Sequence, residues 1–291
     1  MIPGPYSEGI GIFYVIHLIS FLMTCYLPIR GIKMIIVKRA FQLIIIFSIA
    51  ACSSLQNSDA LYQVSAINAL LGGAYEGSES FAGLKKHGDF GIGTFDELDG
   101  EMLALDGEFY RVRADGKIYR VNDNDSTPFA SVVFFQADNS FEINDDINYE
   151  ELLKQLDESL PSENLFYAIK ISGKFKNVKT RSVPKQEKPY RDLVEVVKNQ
   201  PTFEFENVEG TLVGFRCPPY STGVNVPGYH FHFITKDKSG GGHVLDCTLD
   251  DVTVKTDTKM EFVMSLPGNR EFLELDLSKD KEAELDKVEK N

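Results

Sequence analysis

Residues Gly228-Tyr-His-Phe-His-Phe-Ile-Thr235 and Gly241-Gly-His-Val-Leu-Asp246 hold three of the five histidines in this chain within fourteen positions. Tyr229–Thr235 and His243–Leu249 read as strands, and Lys236-Asp-Lys-Ser-Gly-Gly-Gly242 between them reads as a turn. Side chains alternate faces along a strand, so His230 and His232 point the same way, roughly 7 Å apart. Phe231 and Phe233 then point to the opposite face, into a core. If the hairpin folds about the Asp237–Lys238 bond, His243 falls directly opposite His232 on the same face. A slip of one residue would turn His243 away, so the trio depends on the turn.

Three neutral imidazoles without a fourth protein ligand are the donor set of a catalytic zinc site, which keeps one coordination position open. His-x-His alone is a weak signal and is more often two ordinary polar residues. The third histidine across the hairpin is what strengthens it. A structural zinc would want a fourth ligand, usually cysteine, and Cys247 lies two pleats away from the trio. His87, beside Lys85 and Lys86, reads as a surface residue.

Outward from the hairpin, strands alternate with a few helices. Leu61–Leu71 has helix-like apolar spacing that ends at Gly72-Gly73. Phe109–Arg113 and Ile118–Val121 flank Ala114-Asp-Gly-Lys117 as a second hairpin. Ser131–Phe135 and Leu165–Phe175 read as strands. Asn148–Leu160 reads as a helix, with Asn148 and Glu151 placed for a capping box and Leu152, Leu153, Leu156 and Leu160 on one face. Tyr190–Lys198 reads as a helix stopped by Pro201. Strands follow at 202–206, 210–215, 252–255 and 260–264, and Ser278–Lys290 is a final helix with Leu285 and Val288 on its apolar side. The pattern predicts an α/β or α+β fold. Its mixed β-sheets would form two subdomains, roughly 61–200 and 201–291, with a few flanking helices. No dinucleotide fingerprint is present, and the glycines of 88–100 do not make a phosphate-cradling loop.

The chain carries a net charge of −13 over 291 residues. Its first 52 residues hold Arg30, Lys33, Lys38 and Arg39 against Glu8, which leaves −16 on the remainder. A body so acidic is repelled by a phosphate backbone, which disfavours nucleic acid as a partner. Cys217 and Cys247 are too few and too far apart for a disulfide framework, leaving either buried thiols or one bridge. Met34-Ile-Ile-Val-Lys-Arg-Ala40 followed by apolar Phe41–Ala51 has the build of an export signal. Ile49-Ala-Ala-Cys52 resembles a bacterial lipobox, implying cleavage before Cys52 and a lipid anchor on its thiol. A plain signal, giving a secreted or periplasmic protein, is the alternative. Residues 1–33 either precede a true start at Met34 or form a membrane anchor.

The block Gly223-Val-Asn-Val-Pro-Gly-Tyr-His-Phe-His-Phe233, with Gly241–Asp246, resembles the acetolactate decarboxylase family. Gly88-Asp-Phe-Gly-Ile-Gly-Thr-Phe-Asp-Glu-Leu-Asp-Gly-Glu-Met102, Lys179-Thr-Arg-Ser-Val-Pro-Lys-Gln186 and Leu275-Asp-Leu-Ser278 agree with it in order. The resemblance implies a carboxy-lyase that converts 2-acetolactate to acetoin and carbon dioxide, with Zn2+ on His230, His232 and His243. It places an essential glutamate on Glu101, an essential arginine on Arg181, a pocket threonine on Thr94 and a C-terminal glutamate on Glu289, with Glu282 and Glu284 as competitors. It also implies a homodimer. From the residues alone, Glu101 is a turn acid, Arg181 a solvated cation and Glu289 part of an exposed helix face. The loop Phe215-Arg-Cys-Pro-Pro219 departs from the family pattern, which touches the expected pocket rim. A carbonic-anhydrase-like hydratase and a non-catalytic, lipid-anchored ligand-binding protein are the rival readings. The first would place its third histidine farther along the chain.

Overall fold

The computed structural model describes residues 58–290. The expected export signal, the lipid site at Cys52 and the segment before Met34 lie outside these residues. Fourteen strands are described: β1 Ala60–Val64, β2 Glu79–Ser80, β3 Phe90–Thr94, β4 Glu101–Leu105, β5 Glu108–Val112, β6 Ile118–Arg120 and β7 Ser126–Thr127 come first. They continue with β8 Ala130–Val133, β9 Asn139–Ile143, β10 Phe166–Arg181, β11 Thr202–Cys217, β12 Gly228–Thr235, β13 Gly241–Lys259 and β14 Glu261–Ser265. The α-helices are α1 Ile67–Leu71, α2 Phe81–Leu84, α3 Tyr149–Ser159, α4 Leu193–Val196, α5 Arg270–Glu274 and α6 Glu282–Lys290.

Seven strands form one mixed sheet in the order β14-β1-β8-β3-β4-β5-β6. Five form the other, β10-β11-β12-β13-β9, and a further β10–β13 pairing closes β10 to β13 into a ring. The α+β architecture of the sequence reading is therefore correct. Its boundary at 200/201 does not part the layers. β10 pairs with β11 along its length, and β14 adds itself to β1. Each layer is a sheet assembled from distant segments.

Leu61, Phe90, Ile92, Leu103, Val213, Phe215 and Ile234 fill the space between the sheets. The ring encloses a second core in which Phe231 and Phe233 meet Tyr167, Ile171 and Leu212, covered by Leu152 and Leu156 of α3. α3 starts as expected, with the Asn148 side chain accepting from Glu151 N and Glu151 returning the bond to Asn148 N, both at 3.0 Å. A third apolar cluster joins α1, α4 and α6 through Leu70, Leu193, Leu285 and Val288.

Where strand and helix differ from expectation, tertiary pairing is the cause. Ala60–Val64 is buried at every position and hydrogen-bonds to β14 on one side and β8 on the other, so it is strand, and only Ile67–Leu71 of the expected helix survives. The two strands expected within 202–215 are one, because Asn207 continues the chain through a left-handed φ of 48°. β13 likewise runs unbroken: Lys174 pairs with Asp251 and Phe175 with Leu249, leaving Asp250 as the extra residue of a bulge. The helix expected over 190–198 shrinks to the single turn of α4 followed by a 3-10 turn.

Candidate active site

The β12–β13 hairpin pairs His232 with His243, the register that a turn about Asp237–Lys238 predicts. On its other edge β13 pairs His243 with Arg181 at the end of β10. Paired residues share a face, so His232, His243 and Arg181 form a row across three adjacent strands. Gly242 permits the close approach: its φ is +137°, and a Cβ there would lie 2.4 Å from the Arg181 carbonyl oxygen. His230 joins from one pleat away along β12.

The opposite wall comes from the seven-stranded sheet. Thr94 on β3 pairs with Glu101 on β4. Gly100, at φ +97°, makes the turn into β4, where a Cβ would fall 2.2 Å from the Val112 carbonyl oxygen. Thr94 Oγ1 donates to the Gly100 carbonyl at 2.8 Å and so anchors that turn. α6 supplies the third wall. Leu285 and Val288 bury into the helical cluster, and Glu289 reaches the histidines. Glu282 is exposed and Glu284 pairs with Lys281, so of the three C-terminal glutamates it is Glu289 that lies beside the histidines.

One ligand nitrogen from each histidine falls within 4.8 Å of the other two. The Nδ1–H of His232 donates to the Met102 carbonyl at 2.7 Å, which leaves Nε2 as the lone-pair nitrogen. That Nε2 is buried and has no hydrogen-bond partner. Leaving a buried polar atom unpaired costs about 1–3 kcal/mol, and a cation would satisfy it. His230 Nε2 and His243 Nδ1 lie 3.0 Å apart. Burial, aided by the Arg181 charge, lowers His230 to about 3 and holds His232 and His243 well below the usual imidazole range. All three are therefore neutral near pH 7 and present lone pairs, as metal ligands must. The donor set could hold a divalent transition-metal ion.

Two carboxylates flank the cluster. Glu101 Oε2 is 3.5 Å from His232 Nε2, and Glu289 Oε2 is 3.8 and 3.7 Å from the Nε2 atoms of His230 and His243. Burial raises Glu101 to about 7 against the opposing pull of Arg181 and the Val183 N–H. It raises Glu289 to about 7 as well, again opposed by Arg181. Arg181 donates from Nη1 to Glu101 Oε1 at 3.3 Å and from Nη2 to the Val288 carbonyl at 2.9 Å, while its buried Nε–H has no partner. These groups line a cavity of about 40 Å³ whose other walls are apolar.

The sequence model of the alpha-acetolactate decarboxylase family matches residues 61–279. The chain belongs to that family. The alpha-acetolactate decarboxylase of Methanosarcina mazei is 54% identical over 233 residues, covering 80% of this chain and 81% of its own. That of Bacillus subtilis strain 168 is 48% identical over 217 residues, covering 75% and 85%. The crystal structure from the same strain superposes with a TM-score of 0.79 at 45% identity, covering 80% of this chain and 100% of its own. A Staphylococcus aureus protein of unknown function, described as similar to alpha-acetolactate decarboxylase, gives 0.74 at 32% identity, covering 79% and 98%. The chain is thus a decarboxylase, a carbon–carbon lyase, and neither the hydratase nor the non-catalytic reading is favoured.

All seven residues singled out in the decarboxylase sequence line the one cavity. Four readings change, Glu289 among them: its side chain is 15% exposed and faces the histidines rather than lying on an open helix face. Arg181 is buried rather than solvated, at 3% exposure. Glu101 is the first residue of a buried strand rather than a turn acid. Phe215 and Cys217 pack in the core between the sheets, away from the cavity rim. Cys217 and Cys247 are both buried free thiols, and His87 is exposed and stacks on Tyr62 at 3.8 Å. Sequence reasoning missed the Met102 carbonyl and the Val183 N–H, because a backbone group carries no residue signature. It also missed Leu98, Phe129 and Leu193, which look like ordinary core residues.

Proposed function

We propose that this chain decarboxylates 2-acetolactate to acetoin with Zn2+ held by His230, His232 and His243. The observation that carries the reading is the His232 Nε2 lone pair, buried, unpartnered and grouped with nitrogens of His230 and His243. When bound, the ion supplies a Lewis acid for the ketone and hydroxyl oxygens of the substrate.

The carboxylate of acetolactate needs a cationic partner, and Arg181 lines the cavity with an Nε–H still unpaired. As the bond to that carboxylate breaks, carbon dioxide leaves and the electron pair passes into the neighbouring ketone. One proton must then reach the carbon that lost the carboxyl group. Glu101, raised to about 7, holds and releases a proton near neutral pH, and it sits 3.3 Å from Arg181 on the cavity wall. Glu289 is suited to a second proton-handling role, or to holding water beside His230 and His243. Thr94 fixes the turn that presents Glu101. The largely apolar walls exclude bulk water and so strengthen each of these charge interactions.

Acetoin release from racemic acetolactate by the purified body is the direct test. The expected result is activity that a chelator abolishes and Zn2+ restores, with one ion per chain by elemental analysis. Chelator-resistant turnover would remove the metal from the reading, and no acetoin at all would remove the substrate. Export, a lipid on Cys52 and a homodimer belong to the same proposal and rest on the sequence alone. Intact mass of the membrane-extracted protein and its mass in solution test them.

A further inference from the structure

The groups described above account for the carboxylate, the hydroxyl and the ketone of the substrate, which leaves its two methyl groups to meet the rest of the cavity. That remainder is apolar and comes from helices and turns rather than from the sheets. Ile67 and Leu70 project from α1, Leu193 from α4, and Leu98 and Phe129 from the segments beside β3 and β8. Ile67, Leu70, Leu98, Phe129 and Leu193 are all buried. α1 packs against α4, and α4 against α6, so Leu70 and Leu193 form adjoining parts of one wall.

The space between this wall and the polar groups is small. A single ordered water needs roughly 10–15 Å³, so a cavity of about 40 Å³ has room for about three. A five-carbon hydroxy-keto acid is already larger than that, so the wall must give to admit it and must give further for each added methylene. Close-packed interiors resist that displacement.

We propose that Leu70 and Leu193 set the alkyl-size limit of the enzyme, selecting 2-hydroxy-3-oxo acids with the shortest alkyl group at carbon 2. This rests on the decarboxylase reading and deepens it by assigning specificity to a wall that the reaction itself does not use. One methylene more or less in an apolar pocket changes discrimination by roughly 10- to 200-fold. The series of acids with methyl, ethyl and propyl at carbon 2 should therefore show kcat/KM falling at least about tenfold by the propyl member.

The test compares that series on the zinc-loaded protein and on Leu193→Ala, Leu193→Val and Leu71→Ala. Leu71 is equally buried in the same cluster but does not line the cavity, so it reports loss of packing without a change of wall. The readout is the ratio of kcat/KM for the propyl and methyl acids, which is independent of how much of a preparation is folded. Leu193→Ala is expected to raise the ratio at least about tenfold and Leu193→Val by less, with Leu71→Ala leaving it within about twofold. A flat series on the unaltered protein overturns the proposal, as does an unmoved ratio in Leu193→Ala that still turns over the methyl acid. Failure of the unaltered protein to release acetoin from acetolactate would instead sink the decarboxylase reading.

Discussion

β12, β13 and β10 carry His232, His243 and Arg181 in a single row, held by consecutive strand pairings on the ring. The facing wall is built otherwise. Glu101 and Thr94 arrive from another sheet, and Glu289 from a C-terminal helix anchored chiefly by Leu285 and Val288. The row is fixed by register, which moves only in steps of a whole residue, whereas the facing groups are fixed by packing between layers. A substitution in the row should therefore act as a switch, and one in the facing wall as a graded change.

The sharpest break is His232→Ala. It removes the one imidazole among the described residues whose free nitrogen is both buried and unpartnered, and activity should fall at least about 10³-fold with loss of the bound ion. Elemental analysis beside an acetoin assay checks it, and a variant that keeps both metal and turnover would end the metal reading. Arg181→Lys keeps the charge but loses the planar fork that serves Glu101 and the Val288 carbonyl together. Its kcat/KM should drop by about 10²-fold, and steady-state kinetics on acetolactate would expose a tolerant site.

Glu289→Gln tests the facing wall. A fall in kcat of about tenfold or more is expected there, while Glu282→Gln, on the exposed side of α6, should match the unaltered protein. Equal effects from the two would deny α6 its place in the site. Gly242→Ala forces a Cβ against the Arg181 carbonyl at positive φ, with an expected loss of about 1–3 kcal/mol, visible as a lowered Tm. The smallest effect belongs to Asn148→Ala. Loss of the α3 capping box should cost about 1 kcal/mol, or 2–4 °C in Tm, and leave kcat unchanged.

The same contrast governs what could be read in advance. Two histidines one pleat apart and a third across a short turn are related by local geometry, so their convergence followed from spacing and turn chemistry alone. The capping box at Asn148 and Glu151 was legible for the same reason. Arg181 and Glu101 gave no such signal. Between two lysine-rich flanks and after an Asp-Gly turn, each looks like a surface charge, and only family resemblance singled them out. Leu61–Leu71 was misjudged because apolar spacing of three and four suits both a helix face and a fully buried strand beside a short helix.

By itself the sequence determined the hairpin, the α+β character, the family and the seven residues to watch. Local spacing, turn residues and motif order are properties of the chain and need no partner. The tertiary structure alone decided that Arg181 would be buried against Glu101, that the Met102 carbonyl would set the His232 tautomer, and that helices would supply the apolar wall. Each of these joins segments far apart in the chain, through contacts that form only when two sheets and a terminal helix close on one another.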